Sequence, residues 1–172
     1  MRVSVIGGSG VGEETYETAR EVGRLLGARG HTVVCGGRGG VMEAACRGAR
    51  EPEQGEGSNR ASGDGGAASR ERDAETIGIL PGERRSAAND WVTTPVVTGM
   101  GNARNLMVVL NGDAVVAVDG ATGTLSELGH ALDCGRPVAG LDTHDVDLDG
   151  FRAVDTPRAA VDYVESSADS HR

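Results

Sequence analysis

Three glycine-rich turns constrain this chain more than any other feature. Gly7-Gly8-Ser9-Gly10, Gly36-Gly37-Arg38-Gly39-Gly40 and Gly120-Ala121-Thr122-Gly123-Thr124 each follow a short β-branched run and precede helical spacing. The first follows Arg2-Val3-Ser4-Val5-Ile6. Beyond it, Glu13 and Glu14 suit a helix N-terminus, and Tyr16, Ala19, Val22, Leu25 and Leu26 share one helical face. Gly27 and Gly30 end that helix, read over residues 13–28. Strands are predicted at 32–34, 76–80, 114–118 and, as the last, 138–141. Residues 91–97 read as extended, with Pro95 at an edge or a kink. Helices are predicted at 41–50, 102–110, 122–134 and, short and terminal, 157–164. Strands alternating with helices give an α/β fold, a three-layer Rossmann-like parallel sheet with helices on both faces. Such sheets hold ligands beyond the carboxyl ends of their strands. All three glycine turns fall on that edge.

The length of 172 residues fits one domain, read as 1–164 with a tail at 165–172. Residues 51–74 are low-complexity and poor in apolar side chains, and read as a solvated, disordered insert within that domain. Net charge is -9, and all 17 basic residues are arginine. Without lysine there is no Schiff base with a carbonyl substrate and no Walker A loop. The acidic balance argues against nucleic acid, which is held by neutralising its phosphates. No leader pattern and no long apolar run is present, so the expectation is a cytoplasmic protein without membrane contact. Acid-rich, lysine-free and aromatic-poor composition suggests a halophilic host with high internal salt. A stability curve that stays flat or falls with added KCl would overturn that expectation.

The acids concentrate at 51–74 and 142–172, which reads as peripheral solvation. Cys35, Cys46 and Cys134 lack CxxC spacing and are expected to be small buried residues. Asp145-x-Asp147-x-Asp149-Gly150 mimics the start of a calcium loop, but Thr156 stands where the bidentate glutamate belongs. It reads as a surface loop. His130 and Cys134 are one helical turn apart without further ligands, so packing is expected and no metal is assigned.

Glycine lets a backbone approach an anion, and helix N-termini favour negative charge. Three such turns on one edge point to a phosphate-bearing ligand. The candidate binding residues are Gly8, Ser9, Gly36, Gly37, Gly39, Gly40, Gly120, Ala121, Thr122, Gly123 and Thr124. Tight βα turns alone would also need glycines. The dinucleotide fingerprint fails, with Glu13 and Met42 where its third glycine belongs. Arg104 and Glu127 are the candidate catalytic pair. Taken alone, they also suit a solvated helical arginine and a carboxylate favoured by a helix N-terminus.

Arg104, Asp113-Ala114 and Gly120-Ala-Thr-Gly-Thr-Leu-Ser-Glu127 together resemble the signature of the LOG ("Lonely Guy") family. These are cytokinin riboside 5′-monophosphate phosphoribohydrolases with an Arg-Lys pair followed by PGGxGTxxE. Cys35-Gly-Gly-Arg-Gly-Gly-Val-Met42 is similar to the family's GGGxxGLM turn, and Ile6-Gly-Gly-Ser9 to its CGSS start. The resemblance covers residues 2–50 and 75–141. Asn105 replaces the lysine, Asp119 the proline and Ala121 a glycine. These departures are closer to a sister branch that includes a molybdenum-cofactor carrier.

The resemblance implies hydrolysis of a nucleoside 5′-monophosphate to free base and ribose 5-phosphate. Glu127 would stabilise the oxocarbenium-like sugar or activate water. Arg104 would orient Glu127 or bind the phosphate. Gly120 to Thr124 would hold the phosphate, with Gly8 and Ser9 at the ribose. No cofactor is implied, and the group that protonates the leaving base is left open, although Asp119 lies in the right loop. The alternative is a carrier or sensor that holds a phosphate-bearing ligand uncleaved. A homodimer is also implied, with Leu106, Met107, Val109 and Leu110 near its contact.

Overall fold

The computed structural model describes residues 1–51 and 74–168. The expected insert, apart from its ends Glu51 and Ala74, lies outside the described residues, as does the tail beyond Ala168. Seven parallel strands form one sheet: β1 Arg2–Gly7, β2 Thr32–Cys35, β3 Thr76–Leu80, β4 Thr94–Val97, β5 Ala114–Val118, β6 Val138–Leu141 and β7 Phe151–Ala153. Their order is β4-β3-β2-β1-β5-β6-β7, so the direction of winding reverses between β1 and β5. Among the described residues, five helices cover the sheet: α1 Glu13–Ala28, α2 Val41–Arg50, α3 Asn105–Leu110, α4 Thr122–Asp133 and α5 Pro157–Ala168.

Period-two alternation sorts the strand residues between two cores. Val3, Val5, Val33, Val116 and Val118 face α1, α2 and α5. Ile6, Val34, Val115 and Ala117 face α3 and α4. With so few aromatic residues, close packing falls to small side chains. A Cβ on Gly23 would strike the Ala45 backbone, and one on Gly48 the Arg20 backbone, so α1 and α2 meet main chain to main chain. Ser4 faces α3 and donates to the Val108 carbonyl at 2.8 Å, which satisfies a buried hydroxyl.

Five expectations need correction. Residues 102–110 are not one helix: a 3-10 turn at Gly101–Arg104 precedes α3, tightened by the bond from Ala103 N–H to the Met100 carbonyl three residues back (3.2 Å). Val138–Leu141 is not the last strand. β7 follows it, a strand with no β-branched run that is defined by pairing with β6. The terminal helix runs on to Ala168, since Glu165 accepts bonds from Arg29 (2.5 Å) and lies 2.6 Å from His31, while Ala168 packs into the core. Cys134, expected to be buried, is exposed just past the end of α4. Of the residues expected near a dimer contact, Val109 is instead buried in the core and Leu106 is half-buried. Pro95 does lie on an edge strand, β4, where a missing N–H costs no interior ladder bond.

Candidate functional site

The reversal between β1 and β5 opens a cleft at the carboxyl edge, where an open α/β sheet holds its ligand. It measures about 210 Å³. Gly8 and Ser9 line it from the first turn, Gly36 from the second, and Ala121, Gly123 and Thr124 from the third. Arg104 and Glu127 line it too. Gly37, Gly39, Gly40, Gly120 and Thr122 stand behind these wall residues rather than among them.

The two helix-opening turns differ in their donors. At α4, no side chain caps the N-terminus. A first helical turn has no internal acceptor for its N–H groups, so those of Thr122, Gly123 and Thr124 have no partner within α4. At α2, which likewise has no side-chain cap, the turn and the first helical donor are engaged. Gly37 N–H reaches the Cys35 sulfur at 3.3 Å, and Val41 N–H reaches the Gly8 carbonyl at 3.0 Å. Gly40, at φ 64, lies so close to the first turn that a Cβ would strike Gly8 and Ser9.

Arg104 enters the cleft wall from the 3-10 turn and meets Glu127, which projects from α4. Arg104 Nη1 donates to Glu127 Oε1 at 3.1 Å and to Asn105 Oδ1 at 2.6 Å. The two side chains retain 11% and 9% exposure, so the pair is desolvated. Burial pushes the Glu127 carboxyl up to about 7, against the opposing pull of Arg104. The guanidinium lies against Gly36, where a Cβ would meet Nη2 at 2.5 Å. Its Nε is buried without a hydrogen-bond partner.

Sequence reading noted Asn105 only as a replacement for lysine. It is a connector. Its Nδ2 donates to Ser126 Oγ at 3.2 Å, and Ser126 Oγ donates to the Gly123 carbonyl at 2.8 Å. Arg104, Asn105, Ser126 and Gly123 thus tie α3 to the open turn of α4. Asn102 and Met42, neither of them among the expected binding residues, also line the cleft. Asp119 has φ 52. Proline is held near −65°, so this backbone cannot carry the proline of the LOG signature. Asp119 is clamped by its N–H to Leu141 O (3.0 Å) and by Thr143 Oγ1 to its carbonyl (2.7 Å). Across it lies a second, acidic cleft of about 400 Å³ that includes Glu14, Asp142 and Asp155.

No group of three or more metal-ligating His, Cys, Asp or Glu side chains occurs among the described residues. His130 and Cys134 are both exposed. No described helix is long and apolar enough to cross a membrane.

A parallel sheet that reverses beside a glycine-walled cleft is the architecture of Rossmann-like proteins. Within that class the chain belongs to the SLOG cluster4 family, whose model matches residues 1–57 and 56–170. It is 37% identical over 168 residues to an uncharacterized protein of Archaeoglobus fulgidus, covering 98% of this chain and 97% of that one. It is similar in structure to the molybdenum cofactor binding protein of Rippkaea orientalis, at 28% identity and TM-score 0.78 over 96% and 95% of the two chains. The Moco carrier protein of Chlamydomonas reinhardtii is similar at 27% identity and TM-score 0.78 over 98% of each chain. Both are molybdenum-cofactor proteins by name, the kind of relative that the departures at Asn105, Asp119 and Ala121 suggested.

Proposed function

We propose that this protein binds a phosphate-bearing small molecule in the β1–β5 cleft and carries it uncleaved. The acid–base content of the cleft carries the reading: Glu127 is the one carboxylate among its lining residues. Glycosidic cleavage ordinarily uses two carboxyl groups, one on each side of the bond. Here one oxygen of the lone carboxyl is held by Arg104, and the group keeps its proton up to about pH 7. The first-turn N–H groups of α4 would receive the phosphate, aided by the helix dipole. Arg104 would balance charge from the wall, and Gly8 and Ser9 would let the next part of the ligand lie against the main chain. The names of the Rippkaea and Chlamydomonas relatives favour the molybdenum cofactor as cargo.

A second reading, hydrolysis of a nucleoside 5′-monophosphate by Arg104 and Glu127, is favoured by one observation. A carboxyl titrating near 7 is suited to proton transfer at neutral pH. One experiment separates the two. In high KCl the protein is mixed separately with inorganic phosphate, AMP, GMP, CMP, UMP, IMP and isolated molybdenum cofactor. Melting temperature and free base are measured, with Glu127→Gln beside the wild type. A raised Tm without base release is expected. Base release that disappears in Glu127→Gln would replace the carrier with the hydrolase, and no Tm shift from any compound would reject both. The homodimer would use Met107 and Leu110 of α3 and Leu125 of α4, all exposed. Light scattering should then give twice the monomer mass.

A further inference from the structure

Directly beneath the cleft lies a chemical group that ligand binding does not use. Cys35 ends β2, and Cys46 lies on the second turn of α2. Their sulfurs are 3.4 Å apart, and both residues are fully buried. We propose that Cys35 and Cys46 are an oxidation site, closing to an internal disulfide that reshapes the Gly36 wall of the phosphate cleft.

The surroundings favour reaction at Cys35. The Cys46 thiol, the Gly37 N–H and nearby Arg104 hold the Cys35 thiol below its ordinary value, while Cys35 and burial push Cys46 well up. The pair therefore divides into a nucleophile and a resolving thiol. With a peroxide as oxidant, Cys35 sulfur attacks one peroxide oxygen and the O–O bond breaks. This leaves a sulfenic acid on Cys35, and the other oxygen departs as water (or alcohol) after taking up the thiol proton. Cys46 sulfur then attacks Cys35 sulfur, the S–O bond breaks, and a second water leaves with the Cys46 proton. Two thiols lose two hydrogens and two electrons, and the peroxide takes up both. Gly36 and Met42, which line the cleft, flank Cys35 and give a small oxidant its shortest approach.

Closure must be felt at the site. The sulfurs must approach to about 2.05 Å, and Cys35 sulfur then leaves the Gly37 N–H it now accepts. Gly36 is the next residue along the chain, and the Arg104 guanidinium lies against it. A shift of Gly36 therefore moves the arginine that holds Glu127. The consequence for phosphate rests on the binding reading above, whereas disulfide formation does not.

The test uses the full chain with Cys134→Ser, which removes the exposed thiol. After hydrogen peroxide treatment, non-reducing tryptic mapping should recover residues 30–38 linked to residues 39–47, because cleavage after Arg29, Arg38 and Arg47 separates the two cysteines. Amide exchange across residues 36–40 should change on oxidation and return with dithiothreitol. Phosphate affinity should fall roughly tenfold, the scale of an ordinary coupling between sites. Cys46→Ser should show none of these changes. Absence of the linked peptide, or linkage with unchanged exchange at 36–40, would overturn the proposal. If phosphate fails to bind the reduced protein, the carrier reading falls, while mapping and exchange still decide the redox pair.

Discussion

The turns that open α2 and α4 sit on one edge of one sheet and are built from the same residue type, yet they have different tasks. At α2 the main chain turns inward: Val41 N–H bonds Gly8, Gly37 N–H bonds Cys35, and Asn89 N–H bonds the Gly37 carbonyl at 3.0 Å. At α4, Gly123 and Thr124 of the first turn line the cleft. A Cβ on Gly40 would collide with Gly8, whereas one on Gly123 would meet nothing within 4 Å. The α2 turn is braced against the first turn, and the α4 turn is the anion seat of the proposed function. Glycine content marks both, and only the destination of each N–H tells them apart.

The same substitution in the two turns should give opposite results. Gly40→Ala combines a positive φ with a main-chain clash, and should destabilise by roughly 3 kcal/mol or more in denaturant unfolding. Phosphate binding should be lost with it. A wild-type stability after Gly40→Ala would mean that the first and second turns are not braced together.

Next in size is the pH dependence of Glu127. Its carboxyl titrates at about 7 when folded, against 4.5 as the ordinary value, so folding takes up a proton between them. This contribution is complete below about 4.5 and is lost as pH rises through about 7, an effect on the order of 3 kcal/mol. Glu127→Gln has no such proton. The stability difference between wild type and variant should therefore slope across that window and level off outside it. A flat difference would remove burial as the dominant influence on the cleft.

Thr122→Pro tests the α4 seat directly. Proline suits the first helical position, and Ala121 before it is already extended (φ −115). One N–H disappears, so phosphate affinity in calorimetry should fall about tenfold. Stability should change by only about 0.5 kcal/mol. Unchanged binding would shift the anion away from this turn. Smallest is Gly123→Ala, which should raise stability by roughly 0.5–1 kcal/mol.

Much of the fold was legible in the residues. α1, α2, β3 and β5 have the bounds their spacing predicts, because long periodic or continuously apolar segments admit one state. β7 was not, since Phe151-Arg152-Ala153 becomes a strand only by pairing with β6. The end of α5 was not, since Glu165 finds Arg29 and His31 from across the chain. In the site, Gly8, Ser9, Gly36, Arg104, Ala121, Gly123, Thr124 and Glu127 are brought to one cleft. Asn105 and Met42 were not read as part of it, because a polar or apolar side chain near a helix start has no local pattern that distinguishes wall from surface.

The sequence by itself determined an open parallel α/β sheet and the edge on which a ligand would sit, because backbone periodicity and turn chemistry are local properties. Only the fold reveals which glycine turn is braced against its neighbour, that Arg104 is committed to Glu127, and that Cys35 and Cys46 touch. Each of those facts depends on distances between residues far apart in the chain, and on burial, which no single segment encodes.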